Sequence, residues 1–320
     1  MQQSTKPLPL HITDFLDWLD VQKGLSSKTQ ENYSRFLNKF IIFLKINNLD
    51  KLKPHELTSE HIWSYQVYLA RFASAKSPGQ ASPKKGLSKA TQNYYLIALR
   101  SLLNYFAERD IVSLPAEKVK LARQKDEKPV RFLSLEQLKK LFEAPDTSKP
   151  AGLRDRAILE TFFSTGMRIS ELVSLNREQI KFPDGDQDLE LVIIGKGSKA
   201  RTIYISQRAL YWLKKYLDSR EDNDKCLFVN YRSKKDSPMR LTPRSIEEII
   251  KKYVIETGLP LNTTPHVMRH SFATDLLSQG VDIRILQEFL GHKSITATQI
   301  YTHVTSKKLR EVHQKFHSLG

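Results

Sequence analysis

At 320 residues the chain is longer than one compact domain usually runs, and 51 Lys+Arg against 35 Asp+Glu give it a formal net charge of +16. A charge so far from zero points to a polyanionic partner. One cysteine, Cys226, excludes an intramolecular disulfide, and apolar runs such as Phe40 to Leu44 are far too short to cross a bilayer.

The cationic excess is spread along the chain. Residues 1–112 carry 15 basic and 9 acidic side chains, 113–131 carry 6 and 3, and 132–320 carry 30 and 23. A basic tail on a neutral enzyme would concentrate the charge, so both halves are expected to touch the partner. Cys226 beside Leu227 and Phe228 reads as a small core hydrophobe in a reducing interior. The N-terminus shows no charged segment leading into a long apolar stretch, and the expected location is the cytoplasm.

From Ile12 to Arg109 the apolar residues recur at helical spacing. Ile12, Phe15, Leu16 and Leu19 mark one helix, Tyr33 to Leu44 a second, Ile62 to Phe72 a third, and Lys89 to Arg109 a fourth that Ser88 would cap. Residues 1–112 therefore read as a small helical bundle, with a Pro-, Ser- and Lys-rich basic loop from Ser74 to Ser88. Leu114 to Val130 has two prolines and strong polarity, and 113–131 is read as an interdomain linker.

The second half is mixed. Helical spacing covers Leu135 to Phe142, Arg154 to Phe163 and Ile169 to Leu175. Two β-branched runs, Leu189 to Ile194 and Arg201 to Ile205, flank GKGSKA and predict a hairpin. Helices resume over Gln207 to Leu217, Pro243 to Thr257, Pro265 to Gln279, Ile283 to Phe289 and Ile295 to Val304. The chain is thus mainly α with a small β-sheet.

Four segments, TGMRISEL, GKGSKAR, TPHVMRHSFAT and LGHKSITATQIYTH, put cationic or proton-carrying side chains beside turns. In the first, Arg168 follows a Gly turn and Glu171 lies one helical turn later, placed to hold it. Lys196 sits between two glycines at the hairpin tip, where an ammonium can swing toward a ligand. His266 and Arg269, at i and i+3, would present an imidazole and a guanidinium on one helix face, a combination that suits a phosphate. His266 and His270 have the spacing of a helical zinc pair, but Val267 stands where a metalloprotease helix carries Glu, and Arg269 would bring positive charge to the ion. Each segment alone also has an ordinary structural explanation.

Taken together and in this order, the segments resemble the tyrosine recombinase family, most closely its Xer-type members and related integrases. The resemblance covers roughly 132–320 and implies a mixed α/β catalytic domain there, with a helical core-binding (SAM-like) domain over 1–112. It places the catalytic set on Arg168, Lys196, His266, Arg269, His292 and Tyr301, with Glu171 in support.

That assignment implies a mechanism. Arg168, Arg269 and His292 would stabilise the charge of a pentacoordinate phosphate while Tyr301 attacks, His266 accepts the phenol proton, and Lys196 protonates the departing 5′ oxygen. A 3′-phosphotyrosine would conserve the bond energy, with no ATP, metal or other cofactor and no small-molecule substrate. The partner would be double-stranded DNA, bound by a homo- or heterotetramer on two sites. Leu309, Val312 and Phe316 would form the tail that docks on a neighbouring protomer. Chromosome dimer resolution and mobile-element integration or excision both fit. Relaxation of the type IB topoisomerase kind, or a regulator that has lost catalysis, are the competing readings.

Overall fold

The computed structural model describes residues 2–71, 86–123, 131–185, 187–195, 200–233, 237–292, 294–299 and 301. The chain divides into two compact units, Met1–Glu127 and Lys128–Gly320.

The first unit is helical: α1 (His11–Val21), α2 (Ser27–Ile46), α3 (Ser59–Arg71) and α4 (Lys89–Glu108). Each presents the apolar stripe that its 3.6-residue spacing dictates, and Phe15, Leu37, Tyr65, Leu99 and Phe106 are fully buried between them. Phe40 and Tyr65 meet edge to face, ring centroids 4.9 Å apart at 64°. At the start of α4 the Ser88 hydroxyl accepts the Thr91 N–H, which satisfies a donor the helix cannot satisfy itself.

The stretch expected to begin a linker is anchored here instead. Ala116 and Val119 are buried with Leu114 and Leu121 against them, and Asn93 holds Ala122 by both its N–H and its C=O, at 2.9 and 3.0 Å. These apolar residues make no continuous apolar face at helical or strand spacing, so the stretch read as strongly polar. Residues 124–130, the rest of the expected linker, and 72–85, most of the expected basic loop, lie outside the described residues.

The second unit is built around α6 (Pro150–Thr165), which is buried on nearly all sides. Around it lie α5 (Leu135–Glu143), α7 (Ile169–Ser174), an antiparallel hairpin of β1 (Leu189–Ile194) and β2 (Ala200–Ile205), α8 (Gln207–Asp218), α9 (Pro243–Glu256) and α10 (Pro265–Ser278). Leu189 pairs with Ile205 and Ile194 with Ala200, so Leu191, Ile193, Ile203 and Ile205 turn toward the core. Charges buried on α6 are paired: Arg154 and the Tyr253 hydroxyl both donate to Asp155, and Arg156 and Arg208 share Glu160. Cys226 lies in this core.

A smaller cluster closes the unit, where α10, α11 (Ile283–Leu290) and α12 (Thr296–Gln299) bring Ala273, Leu277, Leu286, Leu290 and Tyr301 together. The helix expected from Ile295 to Val304 is helical in its described part over Thr296–Gln299, and Tyr301 follows in a turn. The expected docking tail, 306–320, lies outside the described residues. Among the described residues no helix is long and apolar enough to cross a membrane.

Candidate active site

Gly166 ends α6 with φ +55°, a left-handed conformation that leaves no room for a side chain: a Cβ there would fall 2.2 Å from the Phe272 ring. The turn delivers Arg168 to the start of α7. Glu171, three residues on, accepts the Arg168 backbone N–H on Oε2 at 2.6 Å and the guanidinium on Oε1 at 3.0 Å.

On α10, Thr264 caps the helix and Pro265 takes its first position. Arg269, only 5% exposed, points inward, whereas His266 is exposed. The two do not share one environment, because three residues advance about 300° around a helix and leave 60° between side chains, enough to separate interior from surface. His270, next to Arg269, is half-buried and its Nδ1 lies 2.6 Å from the Tyr301 hydroxyl.

The C-terminal end of α11 organises the site. Its last carbonyls have no partner within the helix, and three arginines supply one each. Arg201 Nε donates to Phe289 O at 3.2 Å, Arg269 Nη2 to Leu290 O at 2.5 Å, and Arg168 Nη2 to Gly291 O at 3.0 Å. Arg269 also reaches back through Nη1 to Gly166 O at 2.6 Å, which joins the ends of α6 and α11. Cations at a helix C-terminus are also favoured by its dipole. Gly291, at φ +59°, then turns the chain to His292.

Three guanidiniums gather around one buried carboxylate. Glu171 takes Arg201 on both oxygens, at 2.8 and 2.7 Å, as well as Arg168. Burial alone would raise the Glu171 pKa, but the hydrogen bonds from Arg201 and Arg168 outweigh it and hold the carboxyl below its ordinary range. Three positive charges against one negative leave the cluster short of anions. Burial and the charges of Arg168 and Arg201 accordingly lower Arg269 to about 10, still protonated at neutral pH.

His292 is held by Arg269 and Thr298. Arg269 Nη2 lies 3.3 Å from His292 Nε2, and since a guanidinium can only donate, Nε2 is the acceptor. Nδ1 then carries the hydrogen and donates to Thr298 Oγ1 at 2.9 Å. Burial, then Arg269 and Arg168, lower the His292 pKa to about 4. A cavity of about 490 Å³ opens beside this group, lined by Arg168, Ala200, Arg201, Arg284, Gly291 and His292 among others. Its walls suit an anion. Tyr301 is 1% exposed and lies outside that lining, and burial pushes its phenol up to about 12.

Of the residues singled out in the sequence, Arg168, Glu171, Arg269 and His292 converge, with Tyr301 behind them in the same unit. Lys196 lies outside the described residues, although Gly195 and Ala200 on either side of its loop line the cavity. Arg201, His270 and Thr298 were not anticipated as parts of the site. A signal for Arg201 existed: it shares strand parity with Ile203 and Ile205, and a guanidinium on the core side of a strand needs a carboxylate.

Comparison with known proteins shows the family and the fold. The Phage integrase family matches residues 131–308, and its N-terminal SAM-like domain matches 11–112. Tyrosine recombinase XerD of Lacticaseibacillus casei is 34% identical over 315 residues, covering 97% of this chain and 99% of its own. Tyrosine recombinase XerC of Thermodesulfovibrio yellowstonii is 35% identical over 320 residues, covering 97% of each. The fold is shared with XerH site-specific recombinase bound to its difH substrate, with a TM-score of 0.69, 22% identity, and coverage of 97% of this chain and 98% of that one. The chain belongs to the phage integrase family of tyrosine recombinases and is a site-specific DNA recombinase.

Proposed function

We propose that the chain cuts and rejoins double-stranded DNA through a 3′-phosphotyrosine link to Tyr301, with Arg168, Lys196, His266, Arg269 and His292 as its catalytic partners. The observation that carries this reading is the excess of guanidinium over carboxylate charge around His292, in the same unit as a buried phenol. A phosphodiester resists attack because the nucleophile approaches a negative centre, and cations already in place remove that barrier without reorganising.

Arg168 and Arg269 take the nonbridging oxygens, held by Glu171, Arg201 and the carbonyls of α11. His292 braces Arg269 beside the same phosphate, its Nε2 accepting from that guanidinium. Tyr301 attacks in line as its proton passes to His266, and Lys196 protonates the departing 5′ oxygen. A 5′ hydroxyl of a partner strand then displaces the tyrosine.

The near-full-length likeness to XerC and XerD supports an Xer-type role in the cytoplasm, as a tetramer on two DNA sites, serving chromosome partition and cell division. We place the core-binding domain on residues 1–112, the interdomain segment on 113–131 with its first part to Ala122 packed against that domain, and the catalytic domain with its docking tail on 132–320.

The test is covalent capture. Binding sites selected from random duplexes are nicked beside the scissile phosphate, so that the freed fragment diffuses away and stalls the reaction. The unmodified protein should become covalently attached and Tyr301→Phe should not. Equal attachment of both would overturn the assignment.

A further inference from the structure

Tyr301, the proposed nucleophile, is buried and lies outside the lining of the cavity beside Arg168 and His292. Tyr301 packs among Ala273, Leu277, Leu286 and Leu290, and its hydroxyl meets His270 Nδ1 at 2.6 Å with the two rings 5.3 Å apart at 62°. Among the described residues that imidazole is the phenol's hydrogen-bond partner. If Nδ1 carried the proton, the phenol hydrogen would be buried with no acceptor, so Nδ1 accepts and the phenol donates.

We propose that His270 is a positioning residue that latches Tyr301 in a protected pocket, and that breaking this bond is a step every cleavage must pass through. The proposal rests on Tyr301 being the nucleophile. Three observations carry it: the phenol is 1% exposed, it does not line the cavity beside Arg168 and His292, and its bond to His270 is short and shielded from water. A second tie acts on the same segment, since Thr298, three residues before Tyr301, receives His292 Nδ1 at 2.9 Å. The loop that presents His292 and the turn that presents Tyr301 are therefore each fastened to α10, through Arg269 and His270.

The same bond could instead carry the phenol proton to His270, but its two ends are matched to keep the proton on oxygen. Burial, His266 and Arg269 lower the His270 imidazole to about 4, while burial raises the phenol to about 12. Transfer between groups so far apart is strongly uphill.

Two measurements test the latch. Tetranitromethane nitrates accessible tyrosines, and peptide masses read each one. In the unmodified protein Tyr94 and Tyr211, both exposed, should label, while Tyr301 stays protected with the fully buried Tyr65 and Tyr216. His270→Ala should speed nitration of Tyr301 by about fivefold to tenfold, the worth of one neutral hydrogen bond, with Tyr65 and Tyr216 still protected. His270→Asn, whose amide oxygen can take the place of Nδ1 as acceptor but cannot bind a proton, should restore protection.

On the nicked duplex, His270→Ala should attach covalently faster than the unmodified protein by about the same factor. Unchanged nitration of Tyr301 in His270→Ala would overturn the latch. So would slower attachment by both His270→Ala and His270→Asn, a result that would make His270 the proton acceptor. Attachment of Tyr301→Phe would remove the nucleophile assignment itself, whatever the nitration shows.

Discussion

Arg201 closes both oxygens of the Glu171 carboxylate, at 2.8 and 2.7 Å, and through this one pair the hairpin is fixed to the helix that presents Arg168. Both side chains are nearly buried, at 10% and 5% exposure, so neither can lose its partner without leaving a charge in a poor medium. Glu171→Gln keeps the shape and removes the charge. It should cost about 3–5 kcal/mol of stability by denaturant unfolding, and adding Arg201→Met should recover part of that loss. Strictly additive losses would show that the two residues do not act as a pair.

Left-handed glycines offer a graded test of how closely the site is packed. Gly24, Gly166 and Gly291 have φ of +58°, +55° and +59°, so alanine at any of them bears the same backbone strain, about 1–2 kcal/mol. Their surroundings differ. Nothing stands within 4 Å of a Cβ at Gly24, Arg201 Cδ stands at 2.9 Å from one at Gly291, and the Phe272 ring at 2.2 Å from one at Gly166. Gly24→Ala should therefore cost only the strain, Gly291→Ala more because it pushes on Arg201, which is tied to Glu171 and Phe289 O, and Gly166→Ala the most. Only the last two should slow covalent attachment to DNA, since Gly166 and Gly291 lend their carbonyls to Arg269 and Arg168.

The elements were largely legible in the sequence because they rest on local periodicity. The predicted starts at Lys89, Leu135, Gln207, Pro243 and Pro265 coincide with the observed helices, where Ser88, Ser134, Ser206, Thr242 and Thr264 accept the first-turn N–H groups. The site was legible only where residue type and a nearby turn coincide, as at Arg168 with Glu171. Arg201, His270 and Thr298 act through partners 30, 31 and 6 residues away, and beyond the strand parity that turns Arg201 toward the core no local pattern names those partners. The same limit explains 114–122, whose burial depends on a helix face brought alongside by the fold.

Arg269 tests whether the charge alone is enough. Its planar fork donates to Gly166 O and Leu290 O at once, and still approaches His292. Lysine keeps the positive charge but is a single point donor that cannot span two carbonyls. Arg269→Lys should lower the rate of covalent attachment by about 10²–10³, the range lost with one preorganised donor to a transition-state oxyanion. Near-normal attachment rates in this variant would mean that only the charge matters at this position.

The pH dependence of stability should report the two neutral histidines. His270 and His292 are both lowered to about 4, chiefly by burial, with His266 and Arg269 acting on the first and Arg269 and Arg168 on the second. An unfolded histidine titrates near 6.5, so between about pH 6.5 and pH 4 the unfolded chain holds protons that the folded protein does not. Stability that is fully present above pH 6.5 is therefore lost as pH falls through this window, with about two protons taken up on unfolding near pH 5. Glu171, held below its ordinary range, adds a loss of the same sign at more acid pH. Unfolding in urea at pH 7.5, 6.0 and 4.8 measures the slope, and His270→Gln and His292→Gln should each flatten it by about one proton. A slope identical in all three proteins would mean that these imidazoles titrate alike in the folded and unfolded chain, and that the cationic cluster beside them does not act as the geometry requires.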